Sequence, residues 1–260
     1  MEHVTLLLAG SLSGLVAGIA GLGGGTIIVP VLTWLYGDAA LHDAIVASWF
    51  AVLFNSLSAA VRQYTIRTPE ERAQLIATSR YFLIGVLVVT PGVAMLMSGF
   101  RHAVTPAMVG ALQLTLAAAL LWPQRDASEP RVMSRLVDTG FGALVGGAST
   151  LIGIGGGAYT TAYMVYGPRR SLRDAIAAGN VTGLAVGALS VFGFVASLAM
   201  DHGAADVPSP ISGWGMALLI AAGVLCSAVG VRLSRRLPTP ILKRILVGFL
   251  ALSAIRLLLS

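Results

Sequence analysis

Two glycine clusters hold most of the chemistry this sequence offers: "GLGGG" at residues 21–25 and "GIGGG" at 153–157. Three adjacent glycines are a poor way to continue a helix, since each costs about 1 kcal/mol against alanine in a helix interior. They are a good way to begin one beside an anion. A helix N-terminus presents free backbone N–H groups and about half an elementary positive charge, and glycine lets a ligand approach that backbone closely. The donors would be Gly23, Gly24, Gly25 and Thr26 in the first cluster, and Gly155, Gly156, Gly157 and Ala158 in the second. Ser48 follows the first cluster, and Asn180 and Thr182 follow the second, close enough to complete a site. Asn180 could equally make an interhelical hydrogen bond, which is the reading for Asn55 and Gln113. Gly10, Gly14, Gly18, Gly142 and Gly146 stand at small-residue spacing and read as helix contacts.

Other chemistries lack their parts. The acidic residues Glu2, Asp38, Asp43, Glu70, Glu71, Asp126, Glu129, Asp138, Asp174, Asp201 and Asp206 all fall in loops or at segment ends. So do His3, His42, His102 and His202. That leaves no mid-span carboxylate for a proton relay. Nor is there a mid-span base for a serine of "SLSG" (11–14), as an intramembrane hydrolase would need. The single cysteine, Cys226, excludes an intrachain disulfide and a cysteine metal cluster. "GLGGGT" lacks the last glycine of a dinucleotide-binding G-x-G-x-x-G. The chain is therefore read as neither an enzyme nor a holder of metal or cofactor.

The elements around the clusters are membrane segments. The 260 residues are 56% hydrophobic and 11% charged, with a mean hydropathy of +0.85, where a soluble domain carries about 25% charged residues. Apolar stretches run through 4–36, 43–61, 81–98, 105–122, 137–166, 174–199, 212–231 and 239–259. They are long enough to cross a hydrocarbon core of about 30 Å. The opening "MEHVTLLL" has no Lys or Arg before its apolar run and reads as a first membrane segment rather than a cleaved signal peptide. The net charge of +6 sits in short loops, which makes it a topology signal rather than a nucleic-acid footprint. An all-α polytopic protein of the lipid bilayer is expected.

The chain is also duplicated. The clusters are 132 residues apart, and Gly10 and Gly14 match Gly142 and Gly146 at the same offset. "HDAIVAS" (42–48) resembles "RDAIAAG" (173–179), and "FRHAVTP" (100–106) resembles "SRRLPTP" (234–240). The expected division is a membrane repeat over 1–125 and a second over 126–260.

Counting arginines decides the topology. Eight plain crossings would split the Lys and Arg residues 8 to 9, which gives the positive-inside rule nothing to act on. If each cluster is instead the apex of a hairpin that enters and leaves by one face, the split is 15 to 2, with only Arg101 and Arg256 on the poorer side. Each half then has one re-entrant hairpin (apex 21–26 or 153–158) and three spanning helices, so the halves are inverted. Equivalent loops agree: "GDAALHD" (37–43) has no arginine, and "GPRRSLRD" (167–174) has three. Inverted repeats with broken helices at the midplane are a plan of secondary transporters. Loops 62–80, 123–136, 167–174 and 232–244 are expected in the cytoplasm and both termini in the periplasm. Arg80, at a segment start, is read as snorkelling to the surface.

With "GLGGGTIIVPVL", "GIGGGAYTTAYMVYG" and "HDAIVAS"/"RDAIAAGNVTG" in place, the chain resembles the sulfite exporter TauE/SafE permeases over essentially its full length. The resemblance implies a bacterial inner-membrane exporter of sulfite, sulfonates or related organosulfur anions, with Gly23–Gly25 and Gly155–Gly157 near the substrate. It leaves a homodimer open. The second motif has Ala162 where the first has Pro30. A membrane scaffold that transports nothing is the competing expectation.

The hairpin arrangement is tested in a Cys226→Ser background. Single cysteines replacing Ser128 and Ser171 should both react with an impermeant maleimide from the cytoplasmic side only. Labelling from opposite sides would restore the eight-crossing arrangement.

Overall fold

A computed structural model describes residues 2–97, 104–121, 131–200 and 212–258. The division between the repeats at 125/126, and Arg101, Arg125, Asp126, Glu129, His102, Asp201, His202 and Asp206, lie outside the described residues. The described residues form ten α-helices: α1 (Glu2–Ala20), α2 (Gly25–Tyr36), α3 (Leu41–Thr65), α4 (Pro69–Met97), α5 (Pro106–Leu121), α6 (Arg135–Ile152), α7 (Gly157–Tyr166), α8 (Leu172–Met200), α9 (Gly213–Arg236) and α10 (Thr239–Leu258). One 3₁₀ turn, Asp38–Ala40, precedes α3. α1, α3 with that turn, α4, α8 and α9 are long and apolar enough to cross a membrane. The sequence reading takes α1 as the inbound leg of a hairpin rather than a full crossing, while α5 and α10, read there as crossings, are not among these five.

Local chemistry sets the outer helix starts. At α4, Thr68 Oγ1 accepts from Glu71 N (3.3 Å) while Glu71 Oε2 accepts from Thr68 N (3.0 Å), with Pro69 between them at the first helical position. This is a capping box, and it satisfies two donors that a helix start otherwise leaves bare. Thr105, Ser134, Ser171 and Ser212 accept from backbone N–H groups three residues on, at the starts of α5, α6, α8 and α9. Every described Asp or Glu lies in the first turn of a helix, where the helix dipole favours it.

The packing repeats itself when the first five helices are exchanged for the second five. α1 packs along α9 as α6 packs along α4; α3 lies on α9 as α8 lies on α4; α2 lies on α3 as α7 lies on α8. The remaining large pairings, α3 with α8 and α5 with α10, map onto themselves. Both α1·α9 and α4·α6 are seams of small residues. A Cβ on Gly10, Gly14 or Gly18 would strike the backbone of Leu219, Gly223 or Ser227, and one on Gly142 would strike the Phe82 carbonyl. At these positions the expected helix contacts are present.

α1 with α2, and α6 with α7, are each tied end to start by a tyrosine. The Tyr36 hydroxyl at the end of α2 donates to Glu2 Oε1 in the first turn of α1 (2.6 Å). Likewise the Tyr163 hydroxyl of α7 donates to Asp138 Oδ1 in the first turn of α6, and its ring stacks between Phe82 and Phe141. Pro30 lacks an N–H, so the carbonyl one turn back at Thr26 loses its helical donor. Ser253 Oγ of α10 replaces it at 2.6 Å. Ala162, the counterpart of Pro30, keeps its N–H, and α7 forms without a proline.

Gly14→Ala should destabilise the purified protein in detergent by about 1–3 kcal/mol, the usual range for overpacking, read as a lower thermal midpoint. Gly92→Ala on α4, where a Cβ meets nothing within 4 Å, should leave the midpoint unchanged or raise it.

A candidate anion site at two crossed glycine loops

The loops 21–24 and 153–156 have the same backbone. Gly21, Gly23 and Gly24 have φ of 71°, 72° and 89°, and Gly153, Gly155 and Gly156 have 69°, 82° and 73°. Alternating left-handed residues turn the chain sharply without a side-chain penalty, so that α2 starts on Gly24 and α7 on Gly156. The apolar residues between the glycines, Leu22 and Ile154, are fully buried in one core cluster with Val16, Ile152 and Leu250. They pin both loops from below.

The loops meet each other. A Cβ on Gly25 would run into the Gly153 carbonyl oxygen, and one on Gly157 into the Gly21 carbonyl oxygen. Each helix N-terminus therefore faces a carbonyl of the opposite loop, and only glycine allows the approach. Val52, near the middle of α3, touches both sides of the crossing: Cβ positions on Gly23 and Gly155 lie 3.2 and 2.5 Å from its Cγ1. All residues of 21–26 and 153–158 are buried.

Unlike the five outer helix starts, α2 and α7 have no side-chain cap. What surrounds them is a set of fully buried polar side chains that are only partly bonded. Asn55 Nδ2 donates to Ser13 Oγ (2.9 Å), and a Cβ at Gly24 would sit 2.5 Å from that Oγ and 3.1 Å from Asn55 Nδ2. Ser149 Oγ and Thr182 Cγ2 flank Gly156, at 3.4 and 3.3 Å from its Cβ position. Ser56 Oγ lies 3.5 Å from the Cβ position of Gly23. Asn55 Oδ1, Ser56 Oγ, Ser149 Oγ, Thr182 Oγ1 and Thr26 Oγ1 have no hydrogen-bond partner. Neither do both side-chain polar atoms of Asn180, which follows Gly179, itself packed against the Gly21 and Gly157 carbonyls. Buried polar atoms without partners cost about 1–3 kcal/mol each, and several of them stand around these two uncapped helix ends.

The residues expected at the site from sequence are placed as follows. Gly23–Thr26 and Gly155–Ala158 are brought together at the crossing, with Thr182 beside Gly156. Asn180 is buried and unpartnered, and Ser48 is already engaged: its Oγ lies 2.8 Å from Gly153 O and 2.7 Å from Ile45 O. Asn55, read as an interhelical partner, does hold Ser13 through the Nδ2 that lies by Gly24, and its unpartnered carbonyl oxygen lies toward Gly223 of α9. Ser56 and Ser149 carried no sequence signal, because single serines in apolar helices look like ordinary packing, and Ser13 stood out only within "SLSG", for a different chemistry. Among the described residues no group of His, Cys, Asp and Glu could hold a metal ion.

The family model described as "Sulfite exporter TauE/SafE" matches residues 6–257. A "Probable membrane transporter protein" of Haemophilus influenzae is 22% identical over 278 residues, covering 98% of this chain and 97% of that protein. No solved structure matches.

Two substitutions at the second loop should act in opposite directions on stability. Gly156→Ala forces an alanine into the left-handed region, which costs about 1–2 kcal/mol, and should lower the thermal midpoint in detergent. Thr182→Val replaces an unpartnered hydroxyl with a methyl group of the same shape and should leave the midpoint unchanged or raise it.

Proposed function

This chain belongs to the sulfite exporter TauE/SafE family, and from that premise we propose that it is a permease carrying a small oxyanion, sulfite or an organosulfonate, outward across the bacterial inner membrane. As a family member with several apolar membrane-length helices it is a multi-pass membrane protein. The observation that carries the finer reading is the pair of uncapped N-termini of α2 and α7, meeting at a crossing ringed by unpartnered buried hydroxyls and amides. Two helix ends supply about half a positive charge each, backbone and side-chain donors supply hydrogen bonds, and no described carboxylate stands near to oppose an anion.

In the conformation described here the Gly21 and Gly153 carbonyls lie against Gly157 and Gly25. The anion enters when the loops part, its oxygens accepting from Gly23–Thr26, Gly155–Ala158 and Thr182, with Asn180 Nδ2, Ser56 and Ser149 completing the shell. Ser48 acts through the Gly153 carbonyl it holds. The exchange symmetry of the helix packing, with the arginine asymmetry of equivalent loops, supports two inverted repeats divided near residue 125. Alternating access then amounts to rocking one repeat against the other, with the hairpins re-entering from opposite faces. Both termini lie in the periplasm, and the loops at 62–80, 123–136, 167–174 and 232–244 in the cytoplasm. One chain supplies both halves of the site, so a homodimer would add nothing to it. The inside-negative potential favours anion exit by about 2.3 kcal/mol per charge per 100 mV, and export requires no proton relay.

The test is sulfite and sulfonate efflux from proteoliposomes. The wild-type protein should carry flux, and Gly24→Leu and Gly156→Leu should abolish it. Thr182→Val should cut it about tenfold, the worth of one hydrogen bond of about 1.4 kcal/mol. A wild-type protein that moves none of these anions would sink the reading, and retained partner interactions in the leucine variants would favour a scaffold.

A further inference from the structure

A polar cavity of about 220 Å³ lies where the end of α3, the α3–α4 turn, the start of α8 and the end of α9 converge, and its wall includes Gln63, Arg67, Glu71, Arg173, Asp174 and Arg235. Its lining also reaches Ile176, and Ile176 is what the first glycine loop rests on: a Cβ at Gly21 would lie 2.7 Å from the Ile176 carbonyl oxygen. One residue therefore separates this cavity from the crossed loops.

The three arginines form a closed ring through the backbone. Arg67 Nη2 donates to Arg173 O (3.4 Å), Arg173 Nη2 to Arg235 O (3.4 Å), and Arg235 Nη1 to Ile66 O (3.0 Å). The bonds hold three guanidiniums around one cavity and tie the first repeat to the second. Among the described residues they have one ion pair, Arg67 Nη1 with Asp174 Oδ1 at 2.9 Å. The Arg67 side chain is 10% exposed, and its Nε is buried with no hydrogen-bond partner. Glu71 is occupied with the N-terminus of α4, and Asp174 also accepts from Ser171 Oγ (2.6 Å). The positive-inside rule explains which face these arginines occupy. It does not explain why they converge on a cavity, nor why a nearly buried guanidinium is left incompletely bonded.

Building on the transport reading, we propose that this cavity is an anion-docking antechamber for the central site, with Arg67, Arg173 and Arg235 as the docking cations and Asp174 as a built-in competitor. An incoming oxyanion takes the Arg67 guanidinium from Asp174, and in doing so loosens the contact between the α3–α4 turn and α8 that closes the way to Ile176 and Gly21. Bidentate guanidinium–oxyanion geometry suits a compact multi-oxygen anion. The equivalent loop of the other repeat has His42 and Asp43 where this one has Arg173 and Asp174, so the antechamber belongs to one face only.

The experiment measures initial sulfite flux from each face of oriented proteoliposomes as a function of sulfite concentration. Arg67→Gln and Arg235→Gln should raise the half-saturating concentration at the arginine-bearing face at least fivefold and keep the maximal rate within twofold. Asp174→Asn should lower it severalfold, and the other face should not respond. Arg235→Lys and thermal melting of each variant separate lost docking from lost folding. Unchanged half-saturation in both glutamine variants, or equal changes at both faces, overturns the antechamber and leaves transport standing. A wild-type protein that moves no sulfite overturns the transport reading instead. The antechamber is then judged by equilibrium titration of the solubilised protein with sulfite: saturable binding weakened by Arg235→Gln keeps it, and absence of binding ends it.

Discussion

The contact on which the rest depends is backbone against backbone: Gly25 on the Gly153 carbonyl, and Gly157 on the Gly21 carbonyl. A carbonyl can sit that close to a helix start only if the residue there has no side chain. It can be aimed that way only if the preceding residues turn left-handed, as Gly23, Gly24, Gly155 and Gly156 do. Two short helices are thereby held end to end with their N-termini facing inward, and the outer helices form the frame that keeps them there. Polar groups in hydrocarbon must be satisfied internally. At the crossing Ser48 meets that demand for the Gly153 carbonyl, while several buried hydroxyls and amides are left open.

Much of this was legible in the sequence because glycine is a local signal. A triple glycine interrupts an apolar run wherever it occurs, and its recurrence 132 residues on fixes which positions correspond. The short helices expected over 26–36 and 158–166 are present as α2 (Gly25–Tyr36) and α7 (Gly157–Tyr166). The small-residue seams of α1 with α9 and α4 with α6 were half visible: Gly10, Gly14, Gly142 and Gly146 announced a contact, but not the partner, which is set by the fold of the other repeat.

What stayed hidden is long-range. Leu22 and Ile154 read as fillers between glycines, yet they anchor both loops in one core. Ser48 read as a ligand because of its position after the first cluster, and it is instead bonded to the opposite loop at Gly153 (2.8 Å). Ser56 and Ser149 have no neighbours in sequence that mark them, since their meaning comes from helices far along the chain. The arginines were the reverse case. Counting them gave a face of the membrane but could not tell those scattered on a surface from those drawn into a ring.

The bond from Ser253 to the Thr26 carbonyl couples two elements mechanically. Pro30 has exported one rung of α2's own ladder to α10, so α2 cannot draw away from α10 without baring a carbonyl in an oily interior. That bond ties α2 to α10. On the other side Ala162 retains its amide hydrogen, and α7 keeps its ladder to itself. α2 is thus bonded to a neighbouring helix where a proline interrupts its ladder, while α7 carries no proline. The two short helices share an outline without sharing a bonding pattern.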